Sequence, residues 1–340
     1  MTKNKKSITP DWQYAFGKPK ATGVLKKFPE DFKVTEELKF EPSGKGEHVY
    51  FYIEKTGSNT QWVMGQIAKW LGKKEREVGY CGLKDRHAVT KQWFSIQLPE
   101  ANKLENFLKA KHEFKILSHT RGDKKLRQGM QKHNLFEITL REINGDEKDI
   151  ETRLQQIQQR GFPNYFGLQR FGHDFDNLNL LFSGKKLKPF ERSIAISSVR
   201  SYLFNEVLSK RIELNCWDEG LPGEVFKLEN SNSVFHAPEI TTDIQTRAQK
   251  KDIHPTGPLF GTDLGSVTDR CLNIESNIMQ QYPKWVDVLY KNRCESARRA
   301  LRAVAENFKW HWKDDNTLVL SFGLGSGSFA TSLVRELMNT

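Results

Sequence analysis

The feature that most restricts this fold is a late return to β-patterning. Trp310 and Trp312 flank His311, Asp315-Asn316 supplies a turn, and Leu318, Leu320 and Phe322 alternate with polar or smaller residues. The glycine-rich run Gly323 to Gly327 then leads into a predicted helix from Ala330 to Met338. So short a piece of strand and helix cannot make a domain alone, so it must complete one begun upstream. Val49, Phe51 and Ile53 alternate with Tyr50 and Tyr52, which predicts a strand over residues 48 to 55. Thr60 can cap a helix carrying Val63, Ile67 and Leu71, and Gly72 is placed to stop it. Phe114 to Leu117 and Phe136 to Arg141 read as further strands, and Ile150, Leu154 and Ile157 as the face of a helix ended by Gly161.

From Phe162 the texture changes. A long helix is predicted from about Glu191 to Ile212, with Ile196, Val199, Leu203 and Val207 on one face. Glycine, proline and asparagine punctuate residues 219 to 262, and a further helix is expected across Cys294 to Asn307, with Arg298, Arg299 and Arg302 as a solvated face. The whole reads as an α+β chain: a sheet domain assembled from both ends and interrupted by an insertion.

Charge narrows the function. Lysines and arginines number 53 against 42 acidic residues, a formal net charge of +11, which suits a polyanionic partner. No apolar run approaches the roughly 20 residues that a membrane-spanning helix needs. Met1 to Ser7 reads as a basic tail rather than a signal peptide. Cys81, Cys216, Cys271 and Cys294 are scattered, with no zinc spacing, and read as reduced thiols of a cytoplasmic protein. No Gly-Lys-Ser/Thr follows Gly323 to Gly327, which argues against a P-loop. The glycine-rich nucleotide site of a methyltransferase and the clustered carboxylates of a metal nuclease are also missing. No metal, cofactor or obligate protein partner is expected.

One carboxylate stands out. Asp85 lies in Gly82-Leu83-Lys84-Asp85-Arg86-His87-Ala88-Val89-Thr90, at the tip of a predicted loop before the aromatic run Gln92-Trp93-Phe94. Beside fixed cations a carboxylate stays ionised, and can serve as a nucleophile or an electrostatic anchor. Neighbours on a strand point to opposite faces, so Lys84, Arg86 and His87 are poorer partners for it than a residue from another strand. The basic run Arg121 to Arg127 reads as a solvated turn or a phosphate contact.

The wording around Asp85 resembles the signature of the TruD family of tRNA pseudouridine synthases. Four further stretches agree in order: Lys26 to Phe32 (KKFPEDF), Asn134-Leu135-Phe136, Pro163 to Gly172 (PNYFGLQRFG) and Gly327 to Glu336 (GSFATSLVRE). The resemblance implies a pseudouridine synthase core on a mixed, largely antiparallel sheet, interrupted by an inserted α/β TRUD domain. The corresponding borders are 1–159 and 305–340 for the core and 160–304 for the insert. It implies isomerisation of uridine to pseudouridine, with tRNA position 13 as the target, and no cofactor. By position in the motifs, Asp85 would be the nucleophile and Lys26 its ion-pair partner. Phe136 would stack on the uracil, where related families usually have a tyrosine, and Phe32, Asn134 and Phe329 would line the substrate pocket. His87 as a general base is an alternative. Attack at C6 of uracil and assistance at C1′ of ribose both stay open. A non-catalytic RNA-binding protein of the same fold would need basic charge, but not Asp85 together with Lys26.

Overall fold

The computed structural model describes residues 10–182, 186–263 and 265–340. The basic tail Met1 to Ser7 lies outside them. The chain divides into two compact units, each made of separate chain stretches. A sheet unit comprises Ala21–Asp146, Ala305–Gly327 and Asn339–Thr340, and a helical unit comprises the described residues 10–20, with Glu147–Val304 and Ser328–Met338.

The sheet unit begins with β1 (Thr22–Leu25), β2 (Phe32–Leu38) and β3 (His48–Thr56), followed by α1 (Thr60–Leu71). Then come β4 (Gly79–Tyr80), β5 (Val89–Gln97), α2 (Ala101–Lys109), β6 (Lys115–Gly122) and β7 (Gln131–Asn144). The helical unit holds α3 (Glu147–Arg160), β8 (Phe162–Pro163), α4 (Asp176–Asn179) and α5 (Pro189–Glu213). It continues with β9 (Glu224–Leu228), β10 (Val234–Ala237), α6 (Thr242–Gln249), β11 (Ile253–Leu259), α7 (Asp269–Gln281) and α8 (Pro283–Lys291). After β12 (Ala297–Ala300) and β13 (Arg302–Ala303), β14 (Glu306–Asp314) and β15 (Thr317–Gly325) return to the sheet unit, and α9 (Ala330–Leu337) to the helical one.

The nine-stranded sheet runs β14-β15-β7-β2-β5-β3-β6, with β1 on β7 and β4 on β5. Its pairings are antiparallel except for β2 with β5, so the sheet is mixed and largely antiparallel, as the resemblance implies. The late hairpin completes it: β15 lies against β7 from Leu318 opposite Leu140 to Gly325 opposite His133. Helix α1 covers one end of one face, where Val63, Ile67 and Leu71 bury against Phe51, Ile53, Phe94 and Ile96. Its cap is Asn59, whose side chain accepts the Trp62 amide at 2.7 Å. Thr60, the residue the sequence suggests for the cap, is buried and bonded elsewhere.

In the helical unit α5 is the spine. Val199, Leu203, Phe204, Val207 and Leu208 are fully buried along it. The residues expected to form a helix from Cys294 to Asn307 instead include β12 and β13, with Gly257 opposite Arg299 and Pro258 opposite Arg298. Extended backbone sends Arg298 and Arg299 to different partners: Arg298 makes a two-pronged pair with the buried Glu275 at 2.8 Å, while Arg299 reaches Asn164. The compact units also differ from the expected borders in three pieces. Residues 10–20, α3 and α9 group with the middle segment. The reason is packing: Ile150, Leu154, Ile157, Leu333, Val334 and Leu337 are buried, Arg153 donates to the Gly17 and Glu336 carbonyls, and Ser332 donates to the Tyr165 carbonyl. Among the described residues no helix is long and apolar enough to cross a membrane.

Candidate active site

Strand register decides which side chains share a face. Phe32 lies opposite Ile138, Val34 opposite Phe136 and Glu36 opposite Asn134. Phe322 lies opposite Phe136, and Val34 opposite Thr90. Paired residues point the same way, so Phe32, Phe136, Asn134, Glu36 and Phe322 occupy one face. Alternate residues Lys33, Thr35, Lys91, Glu137 and Ser321 line a groove of about 650 Å³ on the other, where Lys33 pairs with Glu137 at 2.7 Å.

Asp85 sits in the loop between β4 and β5, and its carboxylate is half-exposed and ion-paired with the Lys26 ammonium. The His87 amide donates to the other carboxylate oxygen at 3.0 Å. Partial burial pushes the Asp85 carboxyl up, but the Lys26 bond, the His87 amide and nearby positive charge outweigh it and hold the group below its ordinary value. Lys26 follows β1 with a left-handed backbone (φ 60°), a conformation that costs a non-glycine residue energy and tends to persist where function needs it. Its ammonium also lies 4.2 Å from the Phe32 ring centroid, a favourable cation–π distance.

The loop is fixed by residues whose charge drew attention for another reason. Lys84 points away from Asp85 and pairs with the buried Glu36 at 2.5 Å, and Glu36 accepts the Trp93 amide at 3.2 Å. Burial raises the Glu36 carboxyl despite Lys84. The Lys84 amide donates to the Thr60 hydroxyl at 2.9 Å, and that hydroxyl donates to Gln92 at 3.0 Å. Gln92 in turn donates to the Gly82 carbonyl at 2.5 Å, and the Arg86 guanidinium donates to the Gly57 carbonyl at 3.0 Å. Lys55 holds the main chain of Asp85 itself. It is 2% exposed and donates to the backbone carbonyls of Asp85 at 3.0 Å and Ser58 at 2.6 Å. Desolvation pushes its pKa down to about 8, against the pull of Asp85.

Sequence reasoning missed Lys55, although a signal was there. It continues the inward series Val49, Phe51, Ile53, and a lysine on the apolar side of a strand needs a reason. Glu36 follows Phe32 and Val34 in the same way.

The expected residues are thus partly gathered. Asp85 pairs with Lys26, and the same ammonium lies over Phe32. Phe136 joins through Phe32, ring centroids 5.9 Å apart and edge-on, and stacks on Phe322 at 5.4 Å. Asn134 shares their face, and its side-chain oxygen is buried without a hydrogen-bond partner. Phe329 belongs to the helical unit, where its ring packs 6.0 Å from Phe166. His87 contributes its backbone amide to Asp85. The basic run Arg121 to Arg127 begins at the end of β6 and is partly absorbed by structure, since Arg121 donates to the Leu98 carbonyl at 2.8 Å.

A mixed sheet with helices around it, carrying a carboxylate ion-paired with a lysine beside aromatic rings, describes an α+β chain with a candidate reactive aspartate. The comparisons specify which. The model of the tRNA pseudouridine synthase D (TruD) family matches residues 12–180 and 183–337, and the chain belongs to that family. It is 42% identical over 340 residues to the tRNA pseudouridine synthase D of Proteus mirabilis, covering 98% of this chain and 96% of that one. It is 40% identical over 329 residues to that of Hydrogenovibrio crunogenus, covering 95% of each. In fold it is similar to the crystal structure of a Methanosarcina mazei chain assigned as a tRNA pseudouridine synthase D, with TM-score 0.74 and 20% identity, covering 98% of this chain and 96% of that one.

Proposed function

We propose that this chain converts uridine to pseudouridine at position 13 of tRNA, with Asp85 as the nucleophile and no cofactor. The observation that carries the reading is the Asp85–Lys26 pair beside Phe32. A lysine held in a left-handed backbone and paired with its carboxylate suits a group that must be ionised and aimed.

In the reaction the N1–C1′ bond breaks, a C5–C1′ bond forms, N1 gains a proton and C5 loses one. Atoms and electrons balance within the nucleotide, so the chemistry calls for no oxidant. Asp85 either adds to C6 of the uracil or assists departure of the base at C1′. In both routes it begins as the free carboxylate, which its lowered pKa provides. The uridine has to leave its stack to reach such a group. Phe136 would then stack on the base, an interaction worth about 1–3 kcal/mol. The unpaired Asn134 oxygen would accept a hydrogen bond from a base N–H, since a buried acceptor without a donor is costly. Phe32 and Phe329 complete the set that the family motifs assign to the substrate. Segments 1–159 and 305–340 would supply the chemistry and segment 160–304 the RNA grip, in a cytoplasmic setting.

The direct test is to incubate the protein with unmodified tRNA and map pseudouridine by carbodiimide-dependent reverse-transcription stops. A stop at position 13 is expected; none in any tRNA of the host would remove the assignment. Asp85→Asn should abolish turnover while tRNA binding stays within a few-fold, because shape is kept and nucleophilic charge is lost. Single-turnover conversion near the wild-type rate in Asp85→Asn would rule Asp85 out.

A further inference from the structure

Arginines of the helical unit, some buried and some at the surface, differ in their partners. In a first group, each guanidinium has a carboxylate: Arg211 with Glu224 at 2.6 Å, Arg298 with Glu275 at 2.8 Å, and Arg160 with Asp218 at 2.8 Å. In the second, Arg170, Arg192, Arg200 and Arg299, among the described residues none has one; hydroxyls, amides and backbone carbonyls are their partners, while the buried Arg302, also without one, stands alone and donates to His254 and the Ala248 and Ile253 carbonyls. Unpaired guanidinium charge gathered in one place is electrostatically costly, so its retention asks for an anion.

These four arginines follow one face of α5. Ser193, Ser197, Arg200 and Phe204 recur at helical spacing. Arg192, Ser193, Ser197 and Arg200 line a groove of about 510 Å³. Arg170 reaches the same face from the loop before α4, bonding to the hydroxyls of Ser197 and Ser201. Arg299 continues the line, its guanidinium 4.0 Å from the Phe166 ring centroid and 5.3 Å from that of Phe204. Arg170 lies over the same Phe166 at 5.7 Å, so two like charges share one ring. Desolvation, and then Arg170, push the Arg299 pKa down to about 9, and burial also lowers Arg170 and Arg200. The side-chain nitrogens Nε of Arg200 and Arg299 are buried without partners.

We infer that this face of α5, from Arg192 through Arg170 and Arg200 to Arg299, is a binding track for consecutive phosphates of the RNA backbone. The inference rests on the reading of RNA as substrate and names the residues that would grip it. Guanidinium forks match phosphate oxygens in pairs, and Ser193 and Ser197 add hydroxyl donors. Such contacts set the position of the RNA and carry no sequence information.

The experiment is salt-dependent fluorescence anisotropy of labelled, unmodified tRNA with the full chain. The exposed pair Arg170→Gln/Arg192→Gln should bind roughly tenfold more weakly, and the slope of log affinity against log salt should become shallower by about 1 for each lost phosphate contact. Ser193→Glu provides the second arm: a carboxylate among unpaired guanidiniums should raise Tm while weakening tRNA binding. Unchanged affinity and slope in both variants would overturn the track. Neither arm reads turnover. Variants that lose affinity in a protein that makes no pseudouridine would keep the track and remove the functional reading; intact conversion with unchanged binding would do the opposite.

Discussion

Lys55 shows most clearly how a buried charge can serve a neighbour's geometry. Its ammonium grips the main chain of Asp85 rather than the carboxylate, so its loss should let the loop drift. Lys55→Met should lower kcat by roughly a hundredfold, the effect of a misplacement of about 1 Å, with a much smaller change in KM. The wild type should show an alkaline limb in kcat near pH 8, where Lys55 gives up its proton, and that limb should be absent in Lys55→Met. A pH profile of the same shape in both proteins would dismiss the positioning role. The sign for stability follows from the same shift. Between about 8 and the ordinary 10.5 the unfolded chain holds a proton that folded Lys55 has released, so this residue's contribution to stability rises with pH there. Below that window both states are charged and the desolvation cost is carried in full. At the aromatic end, Phe136→Ala should slow the reaction and Phe136→Tyr should keep substantial activity, since the ring remains. Lys26→Met should impair chemistry by freeing Asp85. Single-turnover rates on tRNA check all three, and full activity in Phe136→Ala or Lys26→Met would dismiss the role assigned to that residue.

At the scale of elements, adjacent residues at the start of α1, its cap Asn59 and its first residue Thr60, separate stability from function. Asn59 caps the helix through one hydrogen bond, and Asn59→Ala should cost about 1 kcal/mol, read as a lower Tm, with the rate unchanged. Thr60→Val should lower Tm and rate together, because that hydroxyl ties the Asp85 loop to Gln92. Equal rates in the two variants would contradict the assignment. The same contrast shows what the residues make legible. Alternation identifies β3 and β15, and helical periodicity identifies α5 to within two residues at either end, because each buries one regular face. Arg298, Arg299 and Arg302 mislead because their spacing fits a helix while their partners, Glu275, Asn164 and His254, come from distant parts of the chain. The motif singles out Asp85 and Lys26, which do form an ion pair, but local pattern alone cannot show that Lys84 serves Glu36 rather than Asp85, since that choice is made by strand pairing.

For the whole molecule, the composition of the helical unit sets limits on surgery. Removing residues 160–304 would leave α3 and α9 with the buried faces of Ile150, Leu154, Leu333 and Leu337 short of their packing. Such a deletion is expected to lose its cooperative thermal transition, as followed by circular dichroism. A deletion with a sharp transition would show that the sheet unit shelters both helices unaided.

The strand order β14-β15-β7-β2 also governs how the protein is born. On the ribosome β7 emerges long before its neighbour β15, because the whole segment from α3 to β13 is translated between them. Through that interval the nascent chain carries an open strand edge, the kind of surface that recruits unwanted pairing. Completion of the sheet is therefore a late event in synthesis, and a chaperone that shields the open edge of β7 during elongation would act on yield while leaving the finished enzyme unchanged.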